Sequence, residues 1–564
     1  MADLQPTAFI PRRLKVTVIG AGISGIQFAH EITSTLSNVD LEIWDKNPCV
    51  GGTWYENQYP GCTCDVPSHT YQFSWNPNPN WSKLYPPASE IRKYLESTVS
   101  RNDLRRFMRF NWKCVSARWD EQSSNWTTIF RNVQSNETRE VISDVLIYAV
   151  GRLNNYKIPE IEGKEQFEGQ LIHTARWPAS LDVKDKEVVV VGNGASAVQC
   201  VPALQPVAKR IVNISRGPTW ITPHVFSEDG SIQRDCKYLE LYPSSQISLL
   251  IQKYKDTSNE KASFRANQEI YHQHRIFLEQ KLAAGFPGLW RGTAAQTQFT
   301  TAVKSFMQSK ITDQSLQKAL IPEFEAGCRR FTPGAHYLAA LQQTNVIYVT
   351  GTALHLQLTK DALVTGSGDM YPCDLVVFAT GFEPYEPRFP VIGPFNPPIC
   401  PVNGSAIPGI ERAANYMVRV INRLQTDNLR SVCVCENAQK RFNEWVQDRM
   451  AGMVWSGACN SWYKNQMGKV VVPWPGTILH YYAATEIVRW EDFDLRFEGH
   501  AFGSFGNGVT ADGFVPDSFP WVVTDNKLAI SENGGGIDFI SRIGRPVYGV
   551  IQKIVAYFFM SGSA

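Results

Sequence analysis

No stretch of the 564-residue chain is apolar over the ~18 residues that a membrane-spanning helix needs. None of the 12 cysteines forms a Cys-x-x-C pair; Cys62 and Cys64, like Cys433 and Cys435, are spaced Cys-x-Cys. That argues against the redox-active dithiol of a disulfide reductase. No His/Cys cluster has ligand spacing, so no metal is expected. Neither charge is in excess: 55 Lys and Arg against 53 Asp and Glu leave +2, which points to no nucleic-acid partner. The N-terminal MADLQPTAFIPRR lacks the apolar core of a secretory signal. With scattered cysteines, this predicts a cytoplasmic protein whose thiols are reduced. The run Val547 to Met560 is apolar but holds Gln552 and Lys553. It reads as a packed helix, with a peripheral membrane contact as the lesser alternative.

What is present is ordinary globular chemistry, 43% hydrophobic and 19% charged, in a chain long enough for two or three domains. Two short β-branched runs, Leu14 to Ile19 and Lys186 to Val191, each lead into a glycine cluster. Each then opens into a helix-like segment, Ile26 to Thr33 and Ala197 to Leu204. Strands buried on both faces of a parallel sheet read this way. Two further apolar runs, Asp144 to Gly151 and Asp374 to Gly381, each close one such unit. The fold class expected is α/β, with two Rossmann-like dinucleotide-binding domains. Residues 225–325 are more polar and helical, and predict an insert in the second.

Gly20-Ala21-Gly22-Ile23-Ser24-Gly25 is G-x-G-x-x-G. Its first glycine permits a tight turn, its second lets a pyrophosphate approach the backbone, and its third lets helix and strand pack closely. Asp45 ends the next apolar strand, where a carboxylate accepts from ribose hydroxyls. An acid there favours a free 2′-OH, hence FAD or NAD. The second turn, Gly192-Asn193-Gly194-Ala195-Ser196-Ala197, is G-x-G-x-x-A. The strand after it ends in Arg216, and a guanidinium there suits the 2′-phosphate of NADPH. Two such sites imply electrons passing from NADPH to a flavin.

Between the two units, Phe167-Glu168-Gly169-Gln170-Leu171-Ile172-His173-Thr174-Ala175-Arg176-Trp177-Pro178 reads F-x-G-x-x-x-H-x-x-x-W-P. This resembles the fingerprint of type I Baeyer–Villiger monooxygenases, within the flavin-containing monooxygenase superfamily. The closest style is that of fungal secondary-metabolism members, of the hydroxyversicolorone monooxygenase kind. Gly51-Gly52-Thr53-Trp54-Tyr55, with Tyr59 to Asp65, looks like the family's flavin-side loop. Gly327 to Gly334 looks like its catalytic-arginine segment, and Ser461-Trp462-Tyr463-Lys464 like the loop that folds over bound NADP.

The resemblance implies insertion of one oxygen atom of O2 into a ketone through a C4a-peroxyflavin, giving an ester or lactone. It implies Arg330 as the catalytic cation and Asp65 as the acid that orients it. Lys46, Gly52, Thr53, Trp54, Asp65 and Tyr71 join Gly20, Gly22, Ser24, Gly25 and Asp45 on the FAD side. Gly192, Gly194, Ser196, Ala197, Arg216, Arg329 and Trp462 face NADPH. Phe167, Gly169, His173, Trp177 and Pro178 form the fingerprint, which couples domain movement to cofactor position.

The implied division is 13–155 and 381–510 for FAD, 156–380 for NADP, and a tail, 511–564, of unknown role. One departure stands out: Arg388-Phe389-Pro390 is followed closely by Gly393-Pro394-Phe395-Asn396, where the family runs through a longer segment. The expected partners are a bulky secondary-metabolite ketone and O2. The alternatives are a sibling enzyme oxidising nitrogen, sulfur or carbon, and a nucleotide-binding protein impaired in turnover.

Overall fold

Leu14–Ile19 is almost wholly buried, so its backbone is satisfied only by strands on both sides. In the computed structural model it pairs in parallel with Val39–Asp45 and with Val145–Tyr148. Met108–Phe110 adds a fourth parallel strand beyond Val39–Asp45. The second sheet repeats this plan around Glu187–Val191. Its order is Val346–Thr350, Arg210–Ser215, Glu187–Val191, Leu375–Phe378, Gln170–His173, all parallel. Both strands expected to close the two units therefore lie next to their glycine-turn strands. The structure describes residues 8–156, 158–226, 258–351, 355–384, 389–392 and 404–510.

Each glycine turn leads into a helix, Ile23–Thr35 and Ala195–Leu204. Both begin earlier than the apolar pattern indicates, because the last residue of each motif sits inside the first turn. At Gly25 a Cβ would stand 2.0 Å from the Gly20 carbonyl oxygen, so helix and strand approach as only glycine permits.

An antiparallel meander, Trp112–Asp120, Asn125–Asn132 and Thr138–Ser143, is inserted before the first sheet's last strand. Its aromatic face meets that sheet: Trp44 stacks on Phe130 at 4.5 Å and meets Trp112 edge-on at 5.5 Å. Val391–Ile392 adds a parallel edge strand to the meander. Residues 393–396, where the chain departs from the family pattern, lie outside the described residues.

The helical insert is present as Ser258–Ala266, Gln268–Ala283, Ala294–Lys310 and Gln314–Leu320. Asn267, Thr293 and Asp313 cap the last three by accepting from first-turn N–H groups. Later in the chain, Ala406–Thr426 buries Ile407, Ala414, Val418, Ile421 and Leu424 along one stripe. This helix returns to the first sheet's layer: Asn415 donates to Glu31 at 2.9 Å, and Gln425 donates to the Arg12 carbonyl at 3.1 Å.

Contacts divide the chain into Pro11–Ser504, described above, and a unit of Met1–Ile10 with Phe505–Ala564. Within the latter, the Ala8 N–H donates to Val509 at 2.8 Å. The tail from 511, with the apolar run Val547 to Met560, lies outside the described residues. Among those described, no helix is long and apolar enough to cross a membrane.

The cysteines correct one expectation. Cys328 and Cys459 are joined in a disulfide, with Cα atoms 6.2 Å apart and a sequence separation of 131. The pairing depends on two segments meeting in the fold, which local spacing does not reveal. Eight other described cysteines are free.

Gly25→Ala is expected to force the helix off its strand at a cost of about 1–3 kcal/mol. A thermal melt checks it; an unchanged Tm would contradict the close approach.

Candidate active site

The first phosphate turn is built by one buried carboxylate. Asp45 accepts from the Ala21 N–H at 2.6 Å and from the Asn47 N–H at 2.7 Å. Burial raises its pKa, while those two N–H groups and Lys46 pull the other way. Lys46 pairs with Glu56 at 2.9 Å, and Asn47 donates to the same carboxylate at 3.1 Å.

Gly52 crosses over the turn, its Cα 3.5 Å from where a Cβ on Gly22 would sit. Thr53 and Trp54 begin the short helix Thr53–Glu56, and the Trp54 indole donates to the Tyr71 hydroxyl at 3.2 Å. Gly20, Gly22, Ser24, Gly25, Asp45 and the Gly52–Tyr71 loop thus converge at one end of the first sheet. Backbone without side chains beside a helix N-terminus fits a pyrophosphate.

The second turn is more open. Nothing lies within 4 Å of a Cβ built on Gly194, which caps Ala195–Leu204. The Ser196 hydroxyl is within hydrogen-bonding reach of Tyr59, and Ala197 is buried beneath the turn. Arg216 is exposed just past Arg210–Ser215. Arg329 lies close enough for the two cations to repel. Burial lowers the Arg329 pKa most, and Arg216 lowers it further. The Arg329 guanidinium also sits 5.2 Å over the Phe324 ring. Two converging guanidinium groups suit a phosphate.

Between the turns, residues 59–65 pack on Ala195–Leu204. Tyr59 donates to Gln199 at 2.8 Å, and Gln199 donates to the Thr63 carbonyl at 3.0 Å. Asp65, at the end of this loop, receives a two-pronged bond from Arg330: Nε to Oδ2 at 3.1 Å and Nη2 to Oδ1 at 2.7 Å. Asp65 raises the Arg330 pKa and outweighs the opposing effect of burial, so the guanidinium is charged at any working pH.

Arg330, Arg329 and Asp65 line a cavity of about 130 Å³ with Phe299, Phe331, Trp455 and Tyr463. Burial pushes the Tyr463 phenol up to about 12, although Arg330 pulls it down. Trp462 meets Tyr463 edge-on at 4.8 Å.

The fingerprint forms the edge strand of the second sheet and the turn after it. Phe167 packs beneath Gly169, His173 ends the strand, and Trp177 and Pro178 follow the short turn Thr174–Arg176. His173 accepts the Ala175 N–H at 3.1 Å and stacks on Tyr156 at 4.8 Å. Burial pushes its pKa from 6.5 down to about 4, against a smaller upward pull from the Gly381 backbone. Next to it, Arg176 stands 3.7 Å from Glu56 of the first unit.

Sequence reasoning missed Gln199, Glu56, Lys281 and the disulfide, and placed Tyr59 only within the flavin-side loop. Cys328 lies inside one quoted motif and Cys459 just before another, the only signal they carry.

The model of an NAD(P)-binding Rossmann-like domain matches residues 18–86. The FAD-binding monooxygenase moxY of Dothistroma septosporum is 33% identical over 88% of this chain and 82% of its own length. A Baeyer–Villiger monooxygenase of Streptomyces coelicolor is 29% identical over 86% of this chain and 93% of its own. Among solved structures, cyclohexanone monooxygenase from Rhodococcus sp. Phi1 bound to NADP+ shares the fold. Its TM-score is 0.69 at 22% identity, over 86% of this chain and 100% of that one.

Gly194→Ala is expected to leave Tm unchanged, since the added methyl meets nothing, yet to weaken NADP binding about tenfold, or ~1.4 kcal/mol. Equal Kd values by titration would contradict a phosphate on this turn. His173 is neutral in the fold, whereas the unfolded chain protonates it near pH 6.5. The unfolded state then binds more protons, so stability is lost as pH falls from 6.5 toward about 4, by about 3 kcal/mol in all. The fall in Tm over that window is expected to be shallower in His173→Gln; parallel curves would rule it out.

Proposed function

Because this chain belongs to the FAD-binding monooxygenases of the Baeyer–Villiger type, we propose that it uses FAD, NADPH and O2 to insert one oxygen atom beside the carbonyl of a bulky ketone. The product is an ester or lactone. The observation that carries this reading is the two-pronged Arg330–Asp65 pair at an apolar, aromatic cavity.

In this reading residues 13–155 and 381–510 serve FAD, and residues 156–380 serve NADPH. Gly20, Gly22, Ser24 and Gly25 hold the FAD pyrophosphate, and Asp45 its ribose. Lys46, Gly52, Thr53, Trp54 and Tyr71 flank it. Gly192, Gly194, Ser196 and Ala197 hold the NADPH pyrophosphate, Arg216 and Arg329 its 2′-phosphate, and Trp462 covers it. The fingerprint from Phe167 to Pro178 couples the two units, through His173 at the sheet edge and Arg176 beside Glu56. Bound flavin, once reduced by NADPH, supplies the O2-activating chemistry.

Arg330 answers the need for a fixed positive charge where an anionic oxygen adds to a carbonyl carbon and the negative charge passes to the former carbonyl oxygen. Asp65 takes the Nε and Nη2 donors, which orients the fork and leaves the remaining N–H groups for substrate. Phe299, Phe331 and Trp455 give the cavity an apolar wall beside the cation, whose side chain is 38% exposed. The Tyr463 phenol keeps its proton at neutral pH and adds a neutral dipole rather than a competing anion.

Arg330→Ala is expected to lower ester formation about 10²–10³-fold, with FAD and NADP binding retained. Arg330→Lys, which keeps the charge and loses the fork, falls between. Product analysis under 18-O2 with a ketone panel checks this; ester made at the wild-type rate by Arg330→Ala would refute the assignment.

A further inference from the structure

Among the described residues, the cavity that holds Arg330 is lined by three cations, Lys281, Arg329 and Arg330, and by one carboxylate, Asp65. Asp65 is engaged by Arg330. Arg329 faces Arg216 and is spoken for by the nucleotide phosphate in the reading above. Lys281 remains. It stands in the last turn of Gln268–Ala283, on the side of the cavity formed by the helical insert.

Among the described residues no carboxylate pairs with Lys281. Its ammonium lies 5.7 Å over the Phe277 ring. Two carboxyls in the segments that border the cavity are not paired with Lys281. Glu325 takes both prongs of Arg291. Glu279, close to Gly404 at the cavity wall, is pushed by burial up to about 7, with Arg275 opposing. A cation with no counter-charge among the described residues, on an otherwise apolar and aromatic wall, is best compensated by an anion brought by the ligand. Arg330, which comes from a different segment, lines the same cavity and is the cation beside which the carbonyl reacts in the reading above.

We propose that Lys281 is a specificity-determining residue, and that the enzyme selects ketones bearing an anionic oxygen, a carboxylate or an ionised phenol, remote from the reacting carbonyl. This rests on the ketone-oxidation reading of the same cavity. The helical insert thereby supplies the substrate's charge recognition, and the two nucleotide units supply its oxidation.

The test is equilibrium dialysis of the FAD-loaded enzyme with NADP, using flat ketones that differ only in charge. The probes are 9-fluorenone-2-carboxylate, its neutral carboxamide, and 2-hydroxy-9-fluorenone on either side of its own phenol pKa. The carboxylate is expected to bind about tenfold tighter than the carboxamide, a margin worth ~1.4 kcal/mol. Lys281→Gln abolishes that margin, and Lys281→Arg restores it.

The phenol should gain about tenfold on ionisation in wild type and nothing in Lys281→Gln; no gain overturns the phenolate form of the proposal. Equal binding of acid and amide, no binding of either, or a preference that survives Lys281→Gln overturns it altogether. Ester formation from an uncharged ketone is scored separately. Its failure beside an intact anion preference sinks the oxidation reading, and the reverse sinks only the role of Lys281.

Discussion

A single ion pair joins the parts of this molecule that the chemistry needs together. Asp65 and Arg330 are 265 residues apart in sequence, and each is placed by a different element. Asp65 ends a loop clamped onto Ala195–Leu204 through Tyr59, Thr63 and Gln199. Arg330 follows the Cys328–Cys459 disulfide and precedes Thr332–Pro333, which pairs with Ile221–Thr222. Two parallel N–H···O bonds fix both the distance and the plane of the guanidinium, which a single contact would not. The cation is therefore held against the loop that packs on Ala195–Leu204.

That arrangement is electrostatically demanding, and the surroundings show how it is met. Among the described residues, three cations and one carboxylate share a small cavity. Asp65 stabilises one cation outright, and an aromatic face lies beneath another. The phenol of Tyr463 stays protonated rather than adding a second anion. What is left over is positive charge in an apolar setting, the condition that oxyanions require. The buried, neutral His173 is a different device: it terminates an edge strand without bringing charge into the second sheet.

The fold was legible in the sequence to a large extent. Leu14–Ile19 and Glu187–Val191 are β-branched, short and followed by glycines, and burial on both faces leaves no other reading. The closing strands Val145–Tyr148 and Leu375–Phe378 were equally plain. Helix starts were read too late, because apolar periodicity begins only after the glycine that makes the first turn possible. The chain's membership among the Baeyer–Villiger monooxygenases was carried by F-x-G-x-x-x-H-x-x-x-W-P, whose residues occupy one edge strand and the turn beyond it.

Local pattern determined the two glycine turns, the acid at Asp45 and the cation at Arg216, because each obeys a rule spanning about 30 residues, a single strand–turn–helix–strand unit. Tertiary structure alone decided what lies across those units. It set Asp65 against Arg330, brought Arg329 beside Arg216, joined Cys328 to Cys459 and turned Lys281 of the insert toward the cavity. No periodicity records such meetings, since they depend on how separate elements pack, and a thiol or an ammonium reads the same in sequence whichever neighbour the fold assigns it.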